Sequence, residues 1–379
     1  MSYLKKAIAA AALSFAALAF APIGSAGAAD MDKLPVKAKP IVDVPFFFVI
    51  DDRVTYSWMP KGTDPGAFSA KPGGGFNGTT AKQVYSFTHF DVWAYGTNFF
   101  TISTFKSDHN DPANPCTNAG VIQTGGFGGP TTPADCAGAT EIYGLVRSTF
   151  GFNEVFNTKA FSIGPLHNVS FEIGADANSE NTYFAPAKRD LVAGLQFAFD
   201  LPYKGFFNVS PLAYKEINHN AFIQCGSAFA FGSVPGFSCR AGGNTEFSTT
   251  WAVETNYYMD LGFLPPSLQY FSISGRAAWY GPKGDSNSLP AFSGTGRFSN
   301  ATKTEFNSEP IRLTFDASKA IWGPKYGHFL DVWVAYRYWQ NKFGLDHNAD
   351  PGVCTLFSNG ASTNTCTEST VYTGVTVKF

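Results

Sequence analysis

The sequence predicts an all-β fold: one closed, antiparallel, up-and-down transmembrane β-barrel of about 12 strands, with long extracellular loops and short periplasmic turns. Three observations predict it. The last nine residues alternate, with Val371, Thr373, Val375, Val377 and Phe379 on one face and Tyr372, Gly374, Thr376 and Lys378 on the other, which is the period of a strand. Eleven further alternating segments precede it, separated for the most part by long and short connections in turn. Beyond the amino terminus, no apolar run approaches the roughly 20 residues that a spanning helix needs. The densest, 45–50, is far too short, so any bilayer crossing must be made by strands.

Composition agrees with that class. Aromatic residues make up 16% of the chain and charged residues only 15%, with 38 Phe and 38 Gly. Mean hydropathy is near zero because apolar and polar residues alternate instead of segregating into helices. At the amino terminus, Lys5 and Lys6 precede an apolar run over 7–23, and Ala26-Gly27-Ala28 offers a small-residue cleavage site. That layout predicts a signal peptide over 1–29, export to the Gram-negative outer membrane, a periplasmic segment over 30–45 and a single barrel domain over 46–379. Removing Lys5 and Lys6 leaves 25 basic against 29 acidic residues, a balance too even to argue for nucleic acid.

Taken in order, the predicted strands are 46–60, 82–93, 99–108, 140–152, 167–178, 188–201, 206–219, 247–261, 267–280, 302–320, 329–343 and 371–379. Tight turns are expected at 94–98, 202–205, 262–266 and 322–327, and the two connections flanking the fifth strand are of similar length. The cysteines come in neighbouring pairs, Cys116 with Cys136, Cys225 with Cys239 and Cys354 with Cys366, each inside a long connection. In an exported chain this reads as three local disulfides. No Cys-x-x-Cys and no histidine at zinc spacing accompanies them, so neither a metal nor a cofactor is expected.

Charge fixes the faces, since an unpaired charge on a lipid-facing wall is costly. The inward set is therefore Arg53, Glu141, Tyr143, Arg147, Glu172, Asp176, Tyr214, Glu216, Glu254, Tyr258, Arg276, Arg312, Asp316, Asp331, Trp333, Arg337 and Trp339, and all of these but Asp176, Asp316 and Asp331 are offered as channel-lining and solute-contacting residues. Two strands resist assignment. Asp51 and Asp52 are adjacent in the first, and neither register of 85–91 is clean in the second.

The terminal strand resembles the assembly signal read by the barrel-insertion machinery, through Tyr372, Gly374, Val377 and Phe379. More widely, the chain resembles the nucleoside-specific channel-forming outer-membrane proteins, the Tsx type with its OmpK-like relatives. The matching stretches are Asp91-Val-Trp-Ala-Tyr-Gly-Thr-Asn-Phe-Phe100, Phe161-Ser-Ile-Gly-Pro165, Asn208-Val209 and Ala335-Tyr-Arg-Tyr-Trp-Gln340. The resemblance implies a monomeric, narrow channel that passes nucleosides, stacking bases on lumen aromatics, with Arg147, Arg337 and Trp339 in contact with solute. Lipid and lipopolysaccharide of the outer membrane would surround it. Tyr143 and Leu145 stand where the family's glutamates are expected, and the cysteine-tied loops are longer.

Two other classes compete. A general or differently selective porin, or a surface receptor using the tied loops, shares every feature above. An outer-membrane phospholipase would need a nucleophile, and the sequence has no Gly-x-Ser-x-Gly, so the chain is read as a channel and not an enzyme. His89 with Asp91 forms either a catalytic dyad or a structural hydrogen bond, the latter being the commoner use of such a pair.

Overall fold

Strict alternation sends half of each strand's side chains to either side of a sheet, and here the sheet closes on itself. The computed structural model describes residues 46–379 except 71–75, 109–110, 112–120, 124–130, 134–137, 182–186, 220–224, 226–234, 236–238, 284–302, 350–352 and 356–358. The predicted signal peptide, the 30–45 segment and the Cys116/Cys136 pair lie outside the described residues.

Twelve strands form the barrel: β1 (Phe47–Thr63), β2 (Thr79–Trp93), β3 (Gly96–Ser107), β4 (Thr140–Gly151), β5 (Leu166–Glu180), β6 (Ala187–Leu201), β7 (Gly205–His219), β8 (Thr250–Asp260), β9 (Phe271–Tyr280), β10 (Glu305–Asp316), β11 (Leu330–Gln340) and β12 (Thr367–Lys378). Each pairs antiparallel with its sequence neighbours, and β12 returns to β1 in the register Arg53↔Lys378 through Trp58↔Thr373. Closure leaves no open edge, so every strand finds both its hydrogen-bonding partners. A short extra strand, Asn244–Glu246, adds to the end of β7.

The two faces are inverted relative to a water-soluble sheet. Outward positions hold exposed apolar side chains, among them Val54, Tyr56, Trp58, Phe171, Ile173, Leu191, Val334, Val371, Val375 and Val377. Inward positions hold buried polar ones, including Ser57, Lys82, Arg147, Glu172, Glu216 and Glu368. Aromatic side chains gather at the short-turn end, where Phe46 stacks on Trp93 and Trp322 meets Tyr326 and Phe329 edge-on. No helix among the described residues is long and apolar enough to cross a membrane.

Several boundaries differ from the sequence reading. The strand expected over 302–320 ends at Asp316, whose carboxylate caps a short helix, Ala317–Trp322, by accepting from the Lys319 amide at 2.8 Å. The strand expected from 371 begins at Thr367, and the one expected to 343 stops at Gln340 before a turn of 3₁₀-helix, Lys342–Gly344. The connections flanking β5 are not of similar length. The one before it, 152–165, contains a short helix, whereas the one after it is only 181–186, which reverses the long-and-short order seen elsewhere.

The two awkward strands are resolved by register. Asp51 points inward and ion-pairs with Arg53 (2.5 Å) and Lys378 (2.7 Å). Asp52 points outward, level with Phe379, and holds His89 Nδ1 at 2.7 Å. Tyr85, Phe87, His89 and Asp91 of β2 share that outward face. Two disulfides close connections at the long-connection end, Cys225–Cys239 and Cys354–Cys366, with Cα separations of 5.0 and 5.7 Å.

Candidate channel lumen

All fourteen candidate lining residues occupy the inward register, and hydrogen bonds and ion pairs sort most of them into three tiers. In the middle tier Arg147 of β4 reaches across the lumen to β8. It donates from Nε to Glu254 Oε2 at 3.0 Å and from Nη2 to Oε1 at 2.7 Å, and it also ion-pairs with Asp176 on β5. The side chain lies flat across β5 because position 174 is glycine. A Cβ there would come within 2.7 Å of Arg147 Nη1.

Neighbours complete this network. Tyr143 donates to Asp176 at 2.9 Å and Tyr280 to Glu254 at 3.1 Å. Glu172, 4.0 Å from Arg147, accepts from Ser210 (2.6 Å) and Gln196 (3.1 Å). Six adjacent strands, β4 to β9, are thereby joined by side chains across the interior.

The tier toward the long connections is filled with charge. Glu216, fully buried, is paired with Lys283 and accepts from Tyr214, with Lys188 Nζ at 3.6 Å. Trp339 donates to Glu305 at 2.8 Å, and Arg337 ion-pairs with Glu368 at 2.5 Å. Lys342 joins Glu368 (3.3 Å) while its ammonium sits 4.6 Å over the Trp339 ring. Lys82 lies between Asp64 (3.0 Å) and Glu141 (3.3 Å).

The tier toward the short turns is more open to water. Arg312 pairs with Glu309 at 2.7 Å and stacks its guanidinium 3.9 Å above Trp333, which in turn covers Gly374. Arg53 keeps 38% of its side chain exposed. Arg276 is exposed, faces Asn256 and Glu309 in register, and forms no ion pair among the described residues. Asn208 donates to Asn256 at 3.0 Å beside it. At the rim, Tyr258 bonds Asp260 (2.6 Å) and His328 (3.1 Å). The hydrogen bond from His328 to Asp331 raises the imidazole above its ordinary pKa, against an opposing effect of burial.

Sequence reasoning missed Lys82, Asp64, Glu180, Lys188, Glu305, Glu309, Glu368, Lys283 and Lys342. Glu305 and Glu309 were hidden by a bulge between Ser308 and Ile311, at Pro310, which switches the inward parity from odd to even within β10. Glu368 keeps the inward parity of Tyr372 and was legible once the strand was extended. Lys283 and Lys342 lie just past the ends of β9 and β11, and no periodic signal marks them. His89 is held between Asp52 and Asp91 (3.1 Å to the latter) on the outer wall, both ring nitrogens engaged, and no serine, threonine or cysteine takes part in those bonds.

No protein-family model matches the chain, and no curated protein matches it. Among solved structures, LpxR from Salmonella typhimurium is similar at 9% identity over 86% of this chain and 100% of that one, with a TM-score of 0.33. Acinetobacter baumannii OccAB2 is similar at 10% identity over 88% and 99%, with a TM-score of 0.29. Pseudomonas aeruginosa OccK2 (OpdF), solved in complex with glucuronate, is similar at 9% identity over 89% and 99%, with a TM-score of 0.27. At such identities and scores the likeness reaches no further than a barrel. The barrel that the Tsx-type resemblance implied is present, and no family model links the chain to that type.

Proposed function

We propose that the chain is a passive outer-membrane channel for small polar solutes, working as a monomer. The observation that supports this is Arg276, exposed and without an ion pair among the described residues, inside a closed wall whose exterior is apolar. A barrel filled only for rigidity would pair every inward charge, as most of this lumen does, because an unpaired charge gains nothing structurally. Arg276 and Asn256, with Arg53 paired to Asp51 yet 38% exposed, instead form an open vestibule beneath the Arg147 bridge, which is the narrowing a solute must pass. Outward Leu, Val, Phe and Trp side chains suit the lipid of the outer membrane, lipopolysaccharide included, and Phe379 with Tyr372, Gly374 and Val377 suits recognition by the assembly machinery.

Nucleosides are the first solutes to test, given the Tsx-type resemblance. Base stacking contributes about 1–3 kcal/mol per ring where a face is free. Trp333, Trp339 and Tyr214 are at most 8% exposed, and cations already cover the two indoles. Inward rings that keep exposure include Phe90, Phe99, Tyr143, Phe206 and Tyr258, and the two tyrosines, which add a hydroxyl to the ring face, are the platforms assigned to solute. In planar bilayers the purified chain is expected to give discrete conductance steps, with saturable block by nucleosides that weakens in Tyr258→Ala. Absence of conductance above the empty bilayer overturns the channel reading. Conductance with no block by nucleosides, under conditions where sugars or amino acids block, keeps the channel and discards the nucleoside.

A further inference from the structure

At the long-connection end of the lumen, negative charge exceeds what the chain's own cations balance. Lys82 spends its ammonium on Asp64 Oδ1 and Glu141 Oε2. Glu180, opposite Glu141 in the β4–β5 register, brings a third carboxylate to the same place. It is only 8% exposed, and among the described residues it accepts no hydrogen bond and forms no ion pair within 4.0 Å. Asp64 is 6% exposed and Lys82 4%, so solvent does little to screen the imbalance.

The geometry is that of ligands around one ion. One oxygen from each of Asp64, Glu141 and Glu180 lies within 4.8 Å of the others. Two oxygens bound to a single Ca²⁺ at about 2.4 Å can be at most about 4.8 Å apart. Asp64 Oδ2, Glu141 Oε1 and both Glu180 oxygens are left without hydrogen bonds among the described residues. An all-oxygen, carboxylate-only set selects a hard cation over a transition metal, which would seek imidazole or thiolate.

The second acidic cluster of the barrel shows the contrast. Asp316, His328 and Asp331 also converge, yet Asp316 already accepts from Ser318, from the Lys319 amide and from the His328 amide, and Asp331 holds the His328 ring. Among the described residues, every carboxylate oxygen of that pair already faces a protein donor, unlike those of Glu180.

We propose that Asp64, Glu141 and Glu180 bind a hard divalent cation, calcium in the first instance, at the collar of the barrel. The ion joins the residue just past β1 to the facing ends of β4 and β5, with Lys82 of β2 as a charged neighbour. It would hold this end of the lumen together, whether or not the barrel conducts.

The test is calcium chloride titrated into the full-length, detergent-solubilised barrel after treatment with a chelator, followed by calorimetry and by the thermal unfolding midpoint. A single saturable site in the range of about 0.1–1 mM, typical of extracellular calcium modules, is expected, with a higher midpoint when it is filled. Glu180→Gln preserves shape and is expected to weaken binding at least about tenfold, since ligand charge sets affinity. Glu141→Gln, at the least buried of the three positions, reads out the same loss should Glu180→Gln fold poorly. Absence of saturable calcium binding by the native chain, or unchanged affinity in a folded Glu180→Gln variant, overturns the proposal.

Discussion

Replacing Arg147 with glutamine removes the cation that ion-pairs with both Asp176 and Glu254. Arg147, Asp176 and Glu254 have side-chain exposures of 9%, 10% and 18%, so their charges are shielded from water and depend on one another. Removing one partner of a buried pair costs about 3–5 kcal/mol, mostly for the charge left behind. Glu172 moderates the loss little, because Ser210 and Gln196 already satisfy it at 2.6 and 3.1 Å. Arg147→Gln is therefore expected to destabilise the barrel by about 3 kcal/mol or more. Adding Glu254→Gln to it restores part of that loss, with a coupling energy of about 2–3 kcal/mol in the double-mutant cycle. Urea unfolding in lipid vesicles, followed by tryptophan fluorescence, measures both. The same single variant widens the narrowing and should raise unitary conductance. Strict additivity of the two substitutions would refute the bridge.

Three further outcomes follow from particular contacts. Gly374→Ala places a Cβ into the Trp333 indole and is expected to cost about 1–3 kcal/mol of overpacking, read as a lower urea midpoint. Serine at Cys354 and Cys366 opens a loop of 12 residues and should cost about 3 kcal/mol by chain entropy, seen as a midpoint that no longer responds to reductant for this pair. His328, whose pKa is raised by Asp331, contributes stability that is fully present below its unfolded value of about 6.5. That contribution is lost as pH rises through the folded value, so unfolding of the β10–β11 turn should become easier above neutral pH, and His328→Gln should flatten the profile.

The barrel was legible because an apolar outer face and a polar inner face impose a period of two on the strands. Positions such as Val371 to Phe379 and Leu191 to Phe199 declare their face without any tertiary information. What failed was the assumption that the period is unbroken. Pro310 interrupts the ladder and moves Glu305 and Glu309 onto the face that alternation gave to their neighbours. Strand ends failed for a different reason. Asp316 caps a helix with the same carboxylate that alternation assigns to the lumen, so the pattern carries on while the backbone turns away.

Partnerships within the lumen were not legible at all. Arg147 and Glu254 are 107 positions apart, and three strands separate them around the wall. Either residue alone fits an inward charge with any partner. Glu180 was missed because the predicted strand stopped two residues short of it, and Asp64 because it follows the strand, in a connection whose backbone no pattern specifies.

The central claim is that each strand crosses a bilayer with lipid on one face and water or polar side chains on the other. Spin labels placed one at a time along β6, from 190 to 199, in vesicles reconstituted with the chain, test it most directly. The account predicts that labels at 191, 193, 195, 197 and 199 collide with oxygen dissolved in lipid, while those at 190, 192, 194, 196 and 198 are shielded from it. Accessibility that is uniform along the segment, or that repeats every three to four residues as on a helix, would contradict it.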